Sequence, residues 1–285
     1  MSDCLAITPA RDEERFLPGL IESMVAQTVL PRKWIVINDG SVDSTKRLLD
    51  DAARNYPWIE PHHLEVGRAR VEGGESVVMD FLRRAEVERY DYMLRVDADI
   101  TFEAELVQSL LCEFTRDPNL GIAGATLWEP KDGDWQEVAT PAFHTRGAIK
   151  LYSSKCLAMI GGLDGGLGWD TVDEACAMML GFHTRSFRHI RARHHRPQGQ
   201  AGGRWRARLA SGRAAYRSGY SPIFMLARAV SHSFTPPFAL GGALMLAGFF
   251  EGYLGRRPRA ASPELVKFVR RQQLRRLLLK ESVWR

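Results

Sequence analysis

The stretch LRVDADI, residues 94–100, places two carboxylates, Asp97 and Asp99, one residue apart where an apolar strand ends. Side chains alternate between the faces of a strand, so we expect both carboxylates to point into the crevice beyond its carboxyl end. In open α/β sheets that crevice is where ligands bind. Mg²⁺ and Mn²⁺ take oxygen ligands and leave positions free for substrate phosphates. The pair therefore predicts a divalent metal site that holds a nucleotide diphosphate.

Short apolar strands alternate with amphipathic helices around this pair. An Asp-x-Asp pair alone also fits a solvated loop or a helix cap, so the metal-site interpretation depends on the surrounding sequence pattern. The pattern predicts strands at residues 4–8, 34–38, 62–66, 91–97 and 121–127, a helix between the first two, and helices near 43–54 (capped by Asp43 or Ser44), 75–88 and 103–115. Such alternation is typical of an α/β domain with a mostly parallel central sheet covered by helices on both faces.

After the predicted sheet this rhythm ends. Residues 141–156 predict a strand and a turn, 161–168 a glycine-dense loop that can approach a ligand closely, and 170–181 a helix that ends at a glycine. We therefore expect a catalytic domain over residues 1–200. Residues 201–285 should form a helical C-terminal region that is rich in basic and apolar residues.

Composition narrows the class of protein. With 285 residues, 45% of them hydrophobic, the chain can bury a full core. Its four cysteines form no C-x-x-C pair, which argues against a disulfide scaffold or a structural zinc site and fits a reducing compartment. The first 20 residues contain six charged side chains and no signal-peptide pattern, so we expect a protein that is not exported.

Charge divides the chain into two parts. Residues 201–285 contain 16 Lys and Arg against 3 Asp and Glu, a net charge of +13, whereas residues 1–200 have a net charge of −8. An acidic body with a metal site and a basic tail suit an enzyme that works beside an anionic surface. Lipid head groups and nucleic acid are both anionic, but no nucleic-acid motif accompanies the charge, so we expect no nucleic-acid partner.

Four further motifs join the aspartate pair. In chain order they are TPARDEE (8–14), NDGSVDST (38–45), WDTVDE (169–174) and HHRPQG (194–199). Together they resemble the family 2 glycosyltransferases of bacterial exopolysaccharide and glycolipid synthesis, nucleotide-sugar enzymes of GT-A fold that invert the anomeric centre. The resemblance covers about residues 4–200, and the spacing of the first two motifs is its most specific part. It implies the GT-A fold, also called the nucleotide-diphospho-sugar transferase fold.

The first two motifs would hold the nucleoside of the donor. The resemblance implies that Asp39 accepts a hydrogen bond from uracil N3–H, and a carboxylate there rejects cytosine, which offers no such proton. The residues that would line the base and ribose are Thr8, Ala10, Arg11 and Glu13. An alternative is that Asp39-Gly40 is only a turn and Asp43 only a helix cap.

The resemblance gives the aspartate pair two roles, with Asp97 near the ribose and metal and Asp99 as the likelier direct ligand of Mg²⁺ or Mn²⁺. The cation would screen the diphosphate and stabilise the leaving group. His194 or His195 matches a histidine that many GT-A enzymes use as a further metal or phosphate contact. Either one can instead be a surface histidine in a basic stretch.

Inverting transfer needs one general base on the acceptor hydroxyl, opposite the departing nucleotide. The resemblance implies an aspartate at a helix N-terminus, usually after Glu, but Trp169 stands where that Glu is common. Counting back from Gly181 selects Asp170 as the base, with Asp173 as the second choice. Asp170 can also be the N-cap of the helix, with Asp173 or Glu174 as its partner.

The tail contains a segment without charges, residues 229–250. Its apolar part, from Pro236 to Phe250, is shorter than the roughly 20 residues that span a membrane. Arginine clusters follow it, and an apolar segment with basic flanks favours interfacial or re-entrant attachment to an anionic leaflet. A true span, a buried helix or a homodimer contact are the alternatives.

Taken together, these patterns predict a metal-dependent inverting glycosyltransferase. We expect a UDP-sugar donor, a lipid-linked or other glycan acceptor, and a peripheral or re-entrant location at the cytoplasmic face of the cell membrane. Two alternatives stay open. A sugar-phosphate nucleotidyltransferase also uses an α/β sheet and Mg²⁺, although it would need a glycine-rich basic loop where TPARDEE is acidic. A catalytically silent membrane scaffold is favoured only by Trp169.

Overall fold

The computed structural model describes residues 3–67, 78, 81, 82, 87–196, 203–233 and 238–284. Within them, nine strands form one sheet. The strands are β1 (Cys4–Ala10), β2 (Lys33–Asn38), β3 (Ile59–His63), β4 (Tyr92–Val96), β5 (Ile100–Phe102), β6 (Leu120–Lys131), β7 (Asp134–Glu137), β8 (Ile149–Ser153) and β9 (His183–His194). The helices are α1 (Leu17–Val25), α2 (Thr45–Asn55), α3 (Leu106–Arg116), α4 (Ser154–Met159), α5 (Trp169–Met179), α6 (Gly203–Arg217), α7 (Pro222–His232), α8 (Phe238–Leu254) and α9 (Pro263–Leu277).

The sheet has the order β3-β2-β1-β4-β8-β6-β9-β5, and β7 forms a hairpin with β6. The first four strands in this order are parallel, as the predicted βα alternation requires. β8 is antiparallel to β4 and β6, and β9 is parallel to β6 but antiparallel to β5. The carboxyl ends of β1, β2 and β4 therefore meet at one edge, where the sequence motifs lie.

Two apolar cores cover the two faces of the sheet. One packs Leu17, Leu49 and Leu110 of α1, α2 and α3 beneath the sheet. The other packs Leu157 and Trp169 of α4 and α5 on the opposite face. Helices on both faces of the sheet confirm the predicted α/β architecture, but the sheet is mixed rather than mostly parallel, with four parallel and four antiparallel strand pairs.

Several observed elements differ from the predicted ones. β3 spans Ile59–His63 rather than 62–66, and it contains Pro61, which is tolerated because β3 is an edge strand. The strand expected within 141–156 occupies only Ile149–Ser153 and continues as α4, whose first turn Ser153 Oγ caps by accepting from the amide of Cys156. The helix expected at 75–88 lies largely outside the described residues.

The C-terminal region packs against the catalytic part. Leu265 and Val269 of α9 contact α5 in a shared core, and the ring of Trp284 stacks on Phe143 at 5.7 Å. Arg217 of α6 pairs with Asp164 of the glycine-dense loop at 2.7 Å. The proposed boundary near residue 200 lies outside the described residues and stays a prediction. None of the described helices is long and apolar enough to cross a membrane.

Candidate active site

Reciprocal hydrogen bonds join the loop after β1 to the loop after β2. The amide of Glu13 donates to Thr45 Oγ1 at 2.8 Å, and the amide of Glu14 donates to Asp43 Oδ2 at 3.0 Å. In return, the amide of Ser44 donates to Glu14 Oε2 at 3.0 Å. Because loop amides need partners when they leave water, these bonds fix the two loops together. The TPARDEE and NDGSVDST motifs thus form one structure at the carboxyl edge of the sheet.

Asp39 lies beside these loops with one oxygen that has no donor. Its Oδ2 is 3.5 Å from Arg11 Nη1, and its amide donates to the carbonyl of Ala10 at 2.9 Å. Its Oδ1 is buried and accepts no hydrogen bond from the described residues. Leaving such an acceptor unsatisfied costs about 1–3 kcal/mol. A ligand N–H placed here would remove that cost.

Gly40 makes the turn that presents Asp39. Its φ is +69°, a left-handed conformation, and a Cβ on it would lie 2.4 Å from the carbonyl oxygen of Glu65. Only glycine fits both demands without strain. The D-G pair is therefore a turn, as the alternative interpretation held, and this turn sets the position of the Asp39 carboxylate beside the joined loops.

Asp97 and Asp99 lie in a turn rather than on one strand. β4 ends at Val96 and β5 begins at Ile100, so strand alternation does not set the directions of the two side chains. This part of the expectation was wrong. Asp97 Oδ1 is 2.7 Å from Arg95 Nη2, and the amide of Asp97 donates to the carbonyl of Ala148 at 2.9 Å. Its carboxylate is about one-third exposed.

Asp99 is buried and meets two groups from the end of β9. Its Oδ1 is 3.6 Å from His194 Nε2, and its Oδ2 accepts from Arg196 Nε at 3.0 Å. Arg196 also donates to Glu13 Oε1, so one guanidinium joins the loop after β1 to the turn after β4. On the other side of the imidazole, His194 Nδ1 is 3.0 Å from Glu129 Oε1. We call Glu13, Asp99, Glu129, His194 and Arg196 the Asp99 cluster.

The Asp99 cluster shifts the titration of its members. Burial raises the pKa of Asp99, but His194 and Arg196 outweigh burial and leave the pKa below its usual range. Burial lowers the pKa of His194, yet the hydrogen bonds to Asp99 and Glu129 raise it to about 9. Burial raises the pKa of Glu13 in spite of Arg196. His194 is thus cationic at neutral pH and must lose a proton before Nε2 can bind a metal.

Two of the predicted site residues have their side chains engaged elsewhere. His195 Nε2 is 2.8 Å from Thr101 Oγ1, and its ring contacts Trp135 edge to face. Thr8 is fully buried, and its hydroxyl accepts from Trp34 Nε1 at 2.9 Å. Thr8 therefore belongs to the core, and His195 contributes to the β5–β9 pair.

Asp99 and His194 fit a shared divalent cation. Two neighbouring ligands of an octahedral ion at about 2.1 Å lie roughly 3 Å apart. That is close to the 3.6 Å between Asp99 Oδ1 and His194 Nε2. Carboxylate oxygen suits Mg²⁺ and Mn²⁺, and imidazole is a common transition-metal ligand. Among the described residues no three or more His, Cys, Asp or Glu side chains form a metal-binding group, so a cation here would need oxygens from substrate or water.

Asp170 lies in the first turn of α5. The N-cap is Gly168, whose φ is +82°, so the interpretation of Asp170 as the cap is wrong. Its carboxylate is half-buried and forms no ion pair with the described residues. A Cβ on Gly147 would lie 3.4 Å from Asp170 Cβ, and the carbonyl of Gly147 accepts from Arg95, the partner of Asp97. Asp170 therefore lies beside Gly147, whose carbonyl contacts the arginine that pairs with Asp97.

The side chain of Asp173 lies in a buried polar network. Its oxygens are 3.0 and 3.1 Å from Lys150 Nζ and accept from the hydroxyl of Tyr152. Lys150 is also 3.1 Å from Glu174 Oε1 and donates to the carbonyl of Asp170 at 2.9 Å. Burial raises the pKa of Asp173 to about 7, against the opposing effect of Lys150. Asp173 thus lies beneath Asp170, where an acceptor hydroxyl has no access.

The network gives one pH-dependent prediction. His144 Nδ1 is 2.7 Å from Glu174 Oε2; burial lowers the pKa of His144, but Glu174 outweighs burial and raises it. The His144–Glu174 pair therefore stabilises the fold fully below about pH 6.5. This stabilisation is lost as the pH rises through the raised pKa of His144. In urea titrations from pH 6 to 9 we expect the free energy of unfolding to fall more steeply for wild type than for His144→Gln. Equal slopes would contradict the pairing.

Trp169 lies between two cations under the site. Arg95 Cζ is 5.1 Å and Lys150 Nζ 5.2 Å from the centre of its ring, and the side chain is 7% exposed. Cations bind favourably to the face of an indole. Trp169 thus contacts both cations through the π face of its ring. With Trp169 at this position, Asp170 still lies in the first turn of α5.

Sequence reasoning missed Arg95, Glu129 and Arg196 as members of the site. Arg196 directly follows the two histidines, so the HHRPQG motif itself contained the signal. Glu129 lies beyond the predicted strand 121–127, because β6 continues to Lys131. Arg95 lies within a buried strand, where a charged residue indicates a paired or functional role.

Comparisons with known proteins agree with this geometry. The family model "Glycosyl transferase family 2" matches residues 5–162, more than half of the chain. An uncharacterized glycosyltransferase of Escherichia coli, YibD, is 26% identical over 132 residues, or 45% of this chain and 36% of YibD. The match thus spans only about a third of the length of that relative.

Solved structures resemble the whole chain in fold. TarS of S. aureus in complex with UDP-GlcNAc has a TM-score of 0.57 and 15% identity, covering 89% of this chain and 73% of TarS. The mannosyltransferase PcManGT of Pyrobaculum calidifontis in complex with GDP-Man and Mn²⁺ has a TM-score of 0.56 and 16% identity, covering 99% and 78%. With the family match and this sheet, the chain belongs to glycosyl transferase family 2 and has the GT-A fold.

Proposed function

We propose that this glycosyltransferase moves a sugar from a UDP-sugar to a hydroxyl of a glycan acceptor, with inversion and with Mg²⁺ or Mn²⁺ as cofactor. One observation carries the proposal: three groups lie along one edge of the sheet, namely a buried oxygen of Asp39 with no partner among the described residues, the Asp99–His194 pair, and the half-buried Asp170. Relatives of this fold bind UDP-GlcNAc, or GDP-Man and Mn²⁺, which supports a nucleotide-sugar donor and a divalent metal.

The donor would lie across the joined loops. Asp39 Oδ1 is available to the N3–H of uracil, and Arg11 holds the other oxygen of that carboxylate. Glu13 Oε2, also buried without a partner among the described residues, is a second acceptor for a ribose hydroxyl or base N–H. Cytosine has no N3–H, so it would leave Asp39 unpaired, and that difference favours UDP over CDP sugars.

Asp99 and His194 would hold the cation, with Asp97 near the ribose. When bound, the cation screens the diphosphate and stabilises the charge that develops on the leaving group. Arg196 fixes Asp99 from the side opposite to His194, which limits the directions in which that carboxylate can turn.

Asp170 would act as the general base. The acceptor hydroxyl attacks the anomeric carbon from the face opposite the nucleotide, its oxygen forms the new glycosidic bond, and its proton passes to the carboxylate of Asp170. The bond from the anomeric carbon to the phosphate oxygen breaks, and UDP leaves with that electron pair. A single displacement of this kind inverts the configuration.

Metal dependence has a direct test. We expect EDTA to lower the affinity for UDP, because without the cation the charge of the diphosphate is no longer screened. Asp99→Asn in Mn²⁺ should bind UDP as weakly as the wild type in EDTA, with no further effect of EDTA. Isothermal titration calorimetry measures both. Asp117→Asn, an exposed carboxylate paired with His183, is the matched control. Unchanged UDP affinity in EDTA would overturn the metal proposal.

Two other functions give different results in one assay. A transferase releases UDP faster when acceptor is present, a nucleotidyltransferase releases pyrophosphate from UTP and a sugar phosphate, and a silent scaffold releases neither. The buried position of Trp169 between Arg95 and Lys150 weakens the case for a scaffold. A thermal-shift panel of nucleotide sugars with Mn²⁺ would identify the donor sugar, since a bound ligand raises apparent stability.

We further propose a lipid-linked acceptor at the cytoplasmic face of the membrane, within polysaccharide or glycolipid assembly. The basic charge of residues 201–285 supports attraction to an anionic leaflet. Their contact with α5, the helix that presents Asp170, supports an acceptor that reaches the site from that surface.

A further inference from the structure

The most exposed described side chains of the helix α8 are apolar. Among its described side chains, the exposed ones are Phe238, Leu240, Ala243, Ala247, Phe250 and Leu254. From Leu240 onward they recur at intervals of three or four residues and so form one stripe along the helix. Leu240, Phe250 and Leu254 are 53%, 40% and 86% exposed. We call Leu240, Ala243, Ala247, Phe250 and Leu254 the α8 stripe.

The other face of α8 is packed so tightly that the helix cannot turn the stripe inward. A Cβ on Gly248 would lie 2.1 Å from the carbonyl oxygen of Leu209 in α6, and one on Gly242 would lie 2.4 Å from that of Ala229 in α7. Met245 and Phe249 are fully buried between these contacts. A helix that is apolar on all sides normally lies in a core or against lipid. One side of α8 lies in a core. The α8 stripe, on the other side, is exposed at the surface of the protein.

Charges surround the stripe without interrupting it. The one charged residue of α8 is Glu251, and its two oxygens each accept from an arginine at 2.7 Å, Arg213 and Arg257. Its negative charge is therefore neutralised within the protein. Arg256 and Arg257, both exposed, follow the end of the helix directly. The surface next to the stripe is cationic, which complements an anionic partner rather than a second copy of the same basic region.

We propose that α8 docks flat on an anionic lipid bilayer, with the α8 stripe at the boundary of acyl chains and head groups and Arg256 and Arg257 among the lipid phosphates. The 17 residues of α8 measure about 25 Å, too short to span the hydrocarbon but suited to lie along it. This surface deepens the membrane association given above, because it names the face that makes the contact.

The adjacent helix α7 also has an exposed apolar row. On α7, Ile223, Leu226 and Val230 are 67%, 48% and 60% exposed and are spaced at three and four residues. α7 packs on α8 through Gly242 and Ala229. Apolar area and basic flanks together provide the two signals that stable interfacial binding requires.

The test is sedimentation of the full chain with vesicles. We expect binding to vesicles of phosphatidylcholine with phosphatidylglycerol, and weak binding to phosphatidylcholine alone. Leu240→Gln/Phe250→Gln/Leu254→Gln should lower the partition coefficient by roughly tenfold or more. The matched control, Leu274→Gln/Leu278→Gln/Leu279→Gln, changes three equally exposed leucines at the end of α9 and should bind as the wild type does. Truncation is unsuitable, because α9 shares a core with α5.

A second variant guards against misfolding. Ala243→Glu/Ala247→Glu keeps helix propensity and places two negative charges in the stripe, so it should also release the protein from anionic vesicles. The proposal is overturned if the wild type does not bind anionic vesicles, or if the triple variant of the α8 stripe and the triple control variant of α9 lose binding equally. It is also overturned if sedimentation velocity shows that the triple variant of the α8 stripe converts a dimer into a monomer. UDP affinity, measured on the same variants, should not change, which separates this surface from the catalytic proposal.

Discussion

Asp170→Asn is expected to lower the rate of sugar transfer by about 10²–10⁴-fold, the usual contribution of a general base. The amide keeps the size of the carboxylate but cannot take the acceptor proton. UDP affinity should stay unchanged, because the proposed role of Asp170 is toward the acceptor and its carboxylate forms no ion pair with the described residues. Steady-state kinetics with saturating acceptor measure the first effect, and calorimetry with UDP the second.

Asp173→Asn is the matched comparison. Its side chain is 3% exposed and binds Lys150 and Tyr152, so its loss should lower the melting temperature while the folded protein retains most of its transfer rate. If Asp170→Asn kept the full rate and Asp173→Asn lost it, the roles would be reversed. The structure favours Asp170 as the base, because Asp170 is half-buried whereas Asp173 is 3% exposed.

Lys150→Met is expected to destabilise the fold by about 3–5 kcal/mol, since it removes the cation from a buried ion-pair network. Lys150 is 0% exposed and is the shared partner of Asp173 and Glu174, two adjacent carboxylates that would then repel each other. Burial lowers the pKa of Lys150, but the carboxylates outweigh burial and raise it, which keeps the cation in place at neutral pH. Urea denaturation at pH 7 measures the loss.

Two controls define what that loss means. Lys46→Met removes an exposed lysine that is paired with Asp50, and it should cost less than about 1 kcal/mol. Lys150→Met/Asp173→Asn should recover part of the lost stability, because one of the two repelling charges is gone and the effects are then not additive. A loss for Lys150→Met no larger than that for Lys46→Met would show that the network is not an ion-pair network.

Much of the fold was predictable from local pattern. β1, β2 and β4 were placed within two residues at each end, because buried parallel strands are short apolar runs between helices with clear periodicity. α5 was also recovered, because a glycine ends it. The strand β9, in contrast, has a polar sequence, HTRSFRHIRARH, and its pairing with β6 and β5 depends on contacts with no local signal.

The candidate site shows the same division. Motif and resemblance identified Asp39, Asp99 and Asp170, whose surroundings suit the proposed roles. The partners that position them were not identified, because Arg196 reaches Glu13 across 183 residues and Lys150 reaches Asp173 across 23. Pairings at such separations depend on tertiary structure and cannot be inferred from spacing along the chain.

The bridge formed by Arg196 also bears on how the protein is made. A nascent chain emerges from the ribosome N-terminus first, and domains fold in that order. Asp99 and Glu13 emerge early, but their common partner is translated about a hundred residues after Asp99, together with the strand β9 that pairs with β5. The donor-binding crevice is thus completed only late in synthesis, so ribosome-bound fragments that end before residue 196 should fail to retain nucleotide.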